Sequence, residues 1–106
     1  MASIRHTGIV DVDEIFAVLE AEGYFNLFVW QDAAGTAYPE HIHPHDEVRW
    51  MVSGRLRIVE NGAAIELGPG DRMQSDARVP HSAFVPETAR YVCGSRLPKN
   101  RNKGSA

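Results

Sequence analysis

The stretch from Gly35 to Gly54, GTAYPEHIHPHDEVRWMVSG, constrains this chain more than any other. His41 and His43 stand two residues apart, so on an extended strand both imidazoles point to the same side. Glu47 follows four residues after His43, and a further imidazole, His81, lies far downstream. Neutral imidazoles with one carboxylate suit a divalent Fe, Ni, Mn, Zn or Cu ion, and this donor set leaves coordination positions free for catalysis. Bringing residue 81 to the same ion requires a fold in which distant segments meet.

The spacing runs Gly35, five residues, His41, one, His43, three, Glu47, six, Gly54. It is similar, position for position, to the first signature motif of the cupin superfamily. A second cupin motif is carried by GDRMQSDARVPHSAFV, Gly70 to Val85, with Gly70 and His81 where that motif has its first glycine and its last metal ligand. Asp76, Arg78 and Val85 stand where proline, glycine and asparagine are usual, so the loop ahead of His81 is expected to differ in shape. The resemblance covers residues 24 to 97. It implies an all-β double-stranded β-helix, the jelly-roll barrel, with one metal ion inside held by His41, His43, Glu47 and His81. Glu47, Val48 and Arg49 after the paired histidines also look similar to the same stretch of acireductone dioxygenases.

The chain, 106 residues long, is expected to form one domain: an arm and helix over 1–23, a barrel over 24–97 and a frayed tail over 98–106. A formal charge of -3, with eleven basic residues scattered among fourteen acidic ones, argues against nucleic acid as a partner. The tail's Lys99, Arg101 and Lys103 read as a solubilising end. No apolar run reaches signal-peptide or membrane-span length, and the lone Cys93 suits a reducing compartment, so a cytoplasmic location is expected. Cys93 itself is expected to pack in a late strand.

Residues 11–22, DVDEIFAVLEAE, place Val12, Ile15, Phe16 and Leu19 at helical spacing with Gly23 as terminator, which predicts one short helix capping an end of the barrel. YFNLFVW, 24–30, is aromatic and β-branched and predicts a strand buried on both faces, followed by a turn at 32–35. Pro44 predicts a kink before a strand over 47–52. Ser53 and Gly54 then turn the chain into RLRIVE, and Asn61-Gly62 signals a hairpin into AAIEL. VPHSAFV and, after Pro86, TARYVCGSRL read as the last two strands. Many short strands separated by glycine turns make an all-β barrel or sandwich.

Alternation on the 47–52 strand decides more. If Glu47 faces the metal, so do Arg49 and Met51, and a guanidinium inside a barrel needs an anion. Arg49 is therefore either the group that holds an anionic substrate or a partner to an internal carboxylate. The opposite row, Val48, Trp50 and Val52, would be an apolar exterior, for which a second subunit is the economical cover, so a homodimer is expected. His45 reads as a solvated loop residue, with an orienting or ligating role as the alternative. His6 in the N-terminal arm is uninformative.

The functional reading is a metal-dependent enzyme, such as a non-haem dioxygenase, acting on a small anionic organic molecule. Isomerase, lyase or decarboxylase chemistry on the same metal is the alternative, as is a non-catalytic ligand-binding barrel. No DNA-binding pattern is read in these 106 residues beside the barrel, so a regulator is not the expected class.

Overall fold

The computed structural model describes residues 3–98. The tail residues Lys99, Arg101 and Lys103 lie outside them. Strand β1 (Ser3–His6) is followed by helix α1 (Val12–Ala21), then β2 (Phe25–Asp32), β3 (Ala37–His41), β4 (Asp46–Glu60), β5 (Ala63–Leu67), β6 (Asp71–Ser75) and β7 (His81–Arg96). All pairings are antiparallel. This is the jelly-roll architecture that the resemblance implies, and it is all-β as the glycine-punctuated strand pattern predicts apart from one short helix.

Two long strands build both layers. The first half of β4 pairs with β6 and with the second half of β7, giving the order β1-β6-β4-β7-β2. The second half of β4 pairs with β5 and with the first half of β7, which also takes β3. Between the halves the register shifts from Met51↔Tyr91 through Ser53↔Arg90 to Arg55↔Glu87, and the ladder turns a corner. Gly54 makes this possible: its φ is +77°, and a Cβ there would stand 2.0 Å from the carbonyl oxygen of Thr88. Ser53 and Gly54 are thus a bend inside one strand, not a turn between two, and likewise β7 runs through Pro86 unbroken.

The core sits between the layers. Met51, Leu56, Ile58, Leu67, Met73, Val85, Ala89 and Tyr91 form one buried cluster, drawn from both halves of β4 and β7. Asn61 and Gly62, both at positive φ, close the β4–β5 hairpin as their sequence predicts.

A second cluster lies on the outer face of the larger layer. Val48, Trp50 and Val92 meet Ile15, Leu19 and Tyr24 there, and Trp50 is only 1% exposed. Helix α1 is set by its Asp11 cap, whose carboxylate accepts from the Glu14 amide at 2.9 Å, and by its Ile15/Leu19 stripe. It lies along the sheet rather than over one end of the barrel. The apolar row of β4 is therefore covered by the chain's own helix and does not call for the second subunit expected over it. The cover is fastened by Arg72, which donates from both terminal nitrogens to Glu22 at 2.9 and 2.8 Å with its guanidinium 4.9 Å from the Trp50 ring centroid.

Strand β2 departs from expectation as well. It is an edge strand, bulged at Asn26 (φ 52°), and it is not buried on both faces. Leu27 and Val29 pack toward the helix, whereas Phe28 and Trp30 are each 46% exposed on the other side. Among the described residues no helix is long and apolar enough to cross a membrane.

Candidate metal centre and its pocket

His41 ends β3 and pairs directly with His81, which opens β7. His43 follows in the loop before β4. The three rings come together, with centroids 4.6 Å apart for His41 and His81, 4.7 Å for His41 and His43 and 5.3 Å for His43 and His81. One ligand atom from each lies within 4.8 Å of the others. Three nitrogens bonded to one ion at about 2.1 Å stand roughly 3–4 Å apart, so a small contraction fits this set to a single cation.

The tautomers are dictated by neighbours. His41 Nδ1 is 2.7 Å from the carbonyl oxygen of Pro39, and His81 Nδ1 is 3.2 Å from that of Val79. A carbonyl only accepts, so each Nδ1 carries the proton and each Nε2 keeps its lone pair. Arg49 Nη2 donates to His81 Nε2 at 3.1 Å, which requires the same tautomer. Burial, with the Arg49 charge and His41 adding to it, pushes His81 down to about 4. Burial also holds His43 below its ordinary value, against the opposing pull of Glu47. His81 is therefore a neutral donor at physiological pH, as a ligand must be.

The loop that delivers His81 keeps a left-handed residue at the position where glycine is usual. Arg78, standing where glycine is usual, takes φ 64°, the left-handed conformation glycine favours. From there its amide donates to the carbonyl of His43 at 2.8 Å, and the Ala77 amide donates to Asp46 Oδ1 at 2.7 Å. One main-chain bond and one bond to a side chain thus tie the two ligand-bearing segments together.

Glu47 stands beside the three imidazoles rather than among them. Its carboxylate oxygens lie 3.4 Å from His43 Nδ1 and 3.6 Å from Arg49 Nη2. Arg49 faces inward, as strand alternation predicts, with its side chain 12% exposed. Its Nη1 is buried with no hydrogen-bond partner among the described residues. His45 is held apart, edge-on to Phe25 at 5.6 Å. His6 bonds Asp71 at 2.6 Å, on strand β1.

The imidazoles open onto a cavity of about 280 Å³. Its lining includes Arg49, Glu47, Leu56 and Cys93, with Phe28 and Trp30 from the edge strand. Cys93 sits in the late strand predicted for it, and burial pushes its thiol up to about 12, so it is neutral. A group that sequence reasoning missed also lies on this wall. Asp32, 5% exposed, accepts from Trp30 Nε1 at 2.9 Å, from Tyr38 at 2.6 Å and from Tyr91 at 2.6 Å. Its hydrogen bond raises the Tyr38 hydroxyl, while burial and then Asp32 raise that of Tyr91. Nothing local marks Asp32 in the sequence; it reads there as a turn residue.

A two-layer jelly-roll with clustered imidazoles at its mouth defines a class of small β-barrel proteins. The Cupin domain family matches residues 28–93, and the chain belongs to that family. It matches no curated protein. Among solved structures it is similar to a conserved protein of unknown function from Streptococcus pyogenes (19% identity, TM-score 0.64), covering 69% of this chain and 64% of that one. It is also similar to the DMSP lyase DddQ from Ruegeria pomeroyi (26% identity, TM-score 0.61), covering 66% and 36% of the two chains. Salicylate 1,2-dioxygenase from Pseudoaminobacter salicylatoxidans, a G106A mutant, matches at 22% identity and TM-score 0.61, over 65% and 20%. That enzyme has also been solved with gentisate. The chain therefore spans less than two thirds of each of these proteins.

Proposed function

We propose that His41, His43 and His81 hold one divalent transition metal ion, with Glu47 completing or steadying the set. On this reading the protein is a metal-dependent enzyme of dioxygenase type whose small anionic substrate is held by Arg49. The observation that carries it is the gathering of three ring nitrogens within 4.8 Å, two of the rings oriented by backbone carbonyls. When bound, such an ion supplies a Lewis-acid or redox centre open to a small chelating molecule.

The chain's own residues do the rest. Arg49 offers a charged donor beside His81, and its unpartnered Nη1 gains most from an incoming anion. Glu47 faces His43 Nδ1 and keeps that ring turned toward the other two. The apolar lining limits competing water. Fold likeness to salicylate 1,2-dioxygenase supports the oxidative reading. The likeness to a DMSP lyase, together with the Tyr38–Asp32–Tyr91 group on the pocket wall, supports a second one, a non-redox lyase or isomerase.

Protein purified without chelators is expected to carry close to one equivalent of metal per chain, and the double change His41→Ala with His43→Ala to abolish it. Full metal content in that variant overturns the site. Oxygen uptake by metal-loaded protein with small keto and phenolic acids then separates the two readings, since a lyase consumes none.

A further inference from the structure

Sheet register sets the inner face of the larger layer in rows. Arg49 pairs with Cys93, and Cys93 with Phe28; one row further, Met51 pairs with Tyr91, and Tyr91 with Trp30. Adjacent strands lie about 4.8 Å apart, so Arg49 and Phe28 face each other across roughly 10 Å, with the short side chain of Cys93 as the floor between. A neutral thiol there adds no charge. The far side of this gap is aromatic: Phe28 and Trp30 meet edge to face at 6.2 Å.

Half-exposed aromatic rings are ordinarily free to turn. Trp30 is not, because its indole N–H is held by the buried carboxylate of Asp32, which Tyr38 and Tyr91 hold in turn. Building a buried three-donor carboxylate to fix a ring that is 46% open to solvent makes sense if the ring's free face has a task. Among the described residues Asp32's hydrogen bonds go to these three residues, so its carboxylate is committed to holding them in place.

Resting on the proposed assignment of Arg49 to the substrate anion, we infer that the ligand is a small monoanion with a flat, unsaturated body. Its carboxylate meets Arg49, and its planar part lies over Cys93 against Phe28 and Trp30. A carboxylate with one six-membered ring spans the gap. A second charge on the ligand would fall against the aromatic pair and be left unpaired, which disfavours dicarboxylates and sugar phosphates.

Calorimetric titration of the protein as isolated with benzoate, cyclohexanecarboxylate, acetate and succinate tests this. Benzoate is expected to bind about fivefold more tightly than cyclohexanecarboxylate, the advantage of a stacked aromatic pair, with acetate and succinate weaker still. Trp30→Ala, and independently Phe28→Ala, should erase the benzoate preference while leaving acetate unchanged. Arg49→Met should weaken benzoate about tenfold and leave benzamide unaffected. A flat series, or a benzoate preference that survives both aromatic changes, overturns the inference. So does a Trp30→Ala variant that alters sedimentation but not the series, which would make the aromatic pair a contact between copies. Chelator-treated protein separates this from the metal reading: a preference that persists there stands without the metal, whereas a flat series in protein holding one metal equivalent defeats the inference alone.

Discussion

Arg72 and Arg49 occupy neighbouring strands of one sheet and point to opposite faces, and they are equipped very differently. Arg72, 1% exposed, has both terminal nitrogens on the Glu22 carboxylate, a further bond to Gln74 at 2.8 Å and the Trp50 ring alongside, with only its Nε without a hydrogen-bond partner among the described residues. Arg49 has a loose ion pair with Glu47 at 3.6 Å, a bond to a neutral imidazole, and one terminal nitrogen with no hydrogen-bond partner among the described residues. A buried cation whose charge is met inside the protein is a fastener. One paired only loosely at the wall of a cavity keeps donor capacity to spare, which is what the proposed anion-holding role of Arg49 requires.

The sharpest way to break this contrast is to remove each arginine in turn. Arg72→Met strands Glu22 and strips the helix clamp, and is expected to cost about 2–3 kcal/mol in urea unfolding. A loss no larger than that of an average surface change would show the clamp to be ornamental. Acid titration gives a smaller effect at the same place. The Arg72 hydrogen bond holds the Glu22 carboxyl below its ordinary 4.5, against the opposing effect of burial. The unfolded chain thus takes up that proton first as pH falls below 4.5, and stability drains away until the folded carboxyl is protonated too. Glu22→Gln should flatten this part of the pH–stability curve by under about 1 kcal/mol, read from thermal melts at pH 3 to 5. Smallest of all, Arg49→Met should change stability by less than about 1 kcal/mol in either direction, because little internal pairing is lost. A large destabilisation would make Arg49 a second fastener, paired with Glu47.

How far sequence reading reached follows the same division between local and assembled features. The short helix with Val12, Ile15, Phe16 and Leu19 at helical spacing, the Asn61-Gly62 hairpin and the inward row Glu47, Arg49, Met51 are each written within one turn or one strand, and each is found in place. Gly54 and Pro86 misled because either residue can end a strand or merely bend it, and only the facing strand decides. The Val48 and Trp50 row does lie outside the barrel, but periodicity reports that a face is apolar without reporting what covers it, and the cover is helix α1. The Asp32 group could not be seen in advance, since it joins residues 30, 32, 38 and 91 that meet only after the barrel closes.

Because β4 and β7 each pass through both layers, the two walls of the cup are cut from the same cloth. Glu47 and Arg49 ride on one of these strands and His81 on the other, so neither wall can swing aside without tearing its neighbour. The brim is formed in part by the edge strand that carries Phe28 and Trp30, whose ladder to β7 is broken between Phe25 and Phe28. Amide exchange should accordingly be slowest through the Gly54 corner and fastest along residues 25–28, the threshold a visiting molecule has to cross.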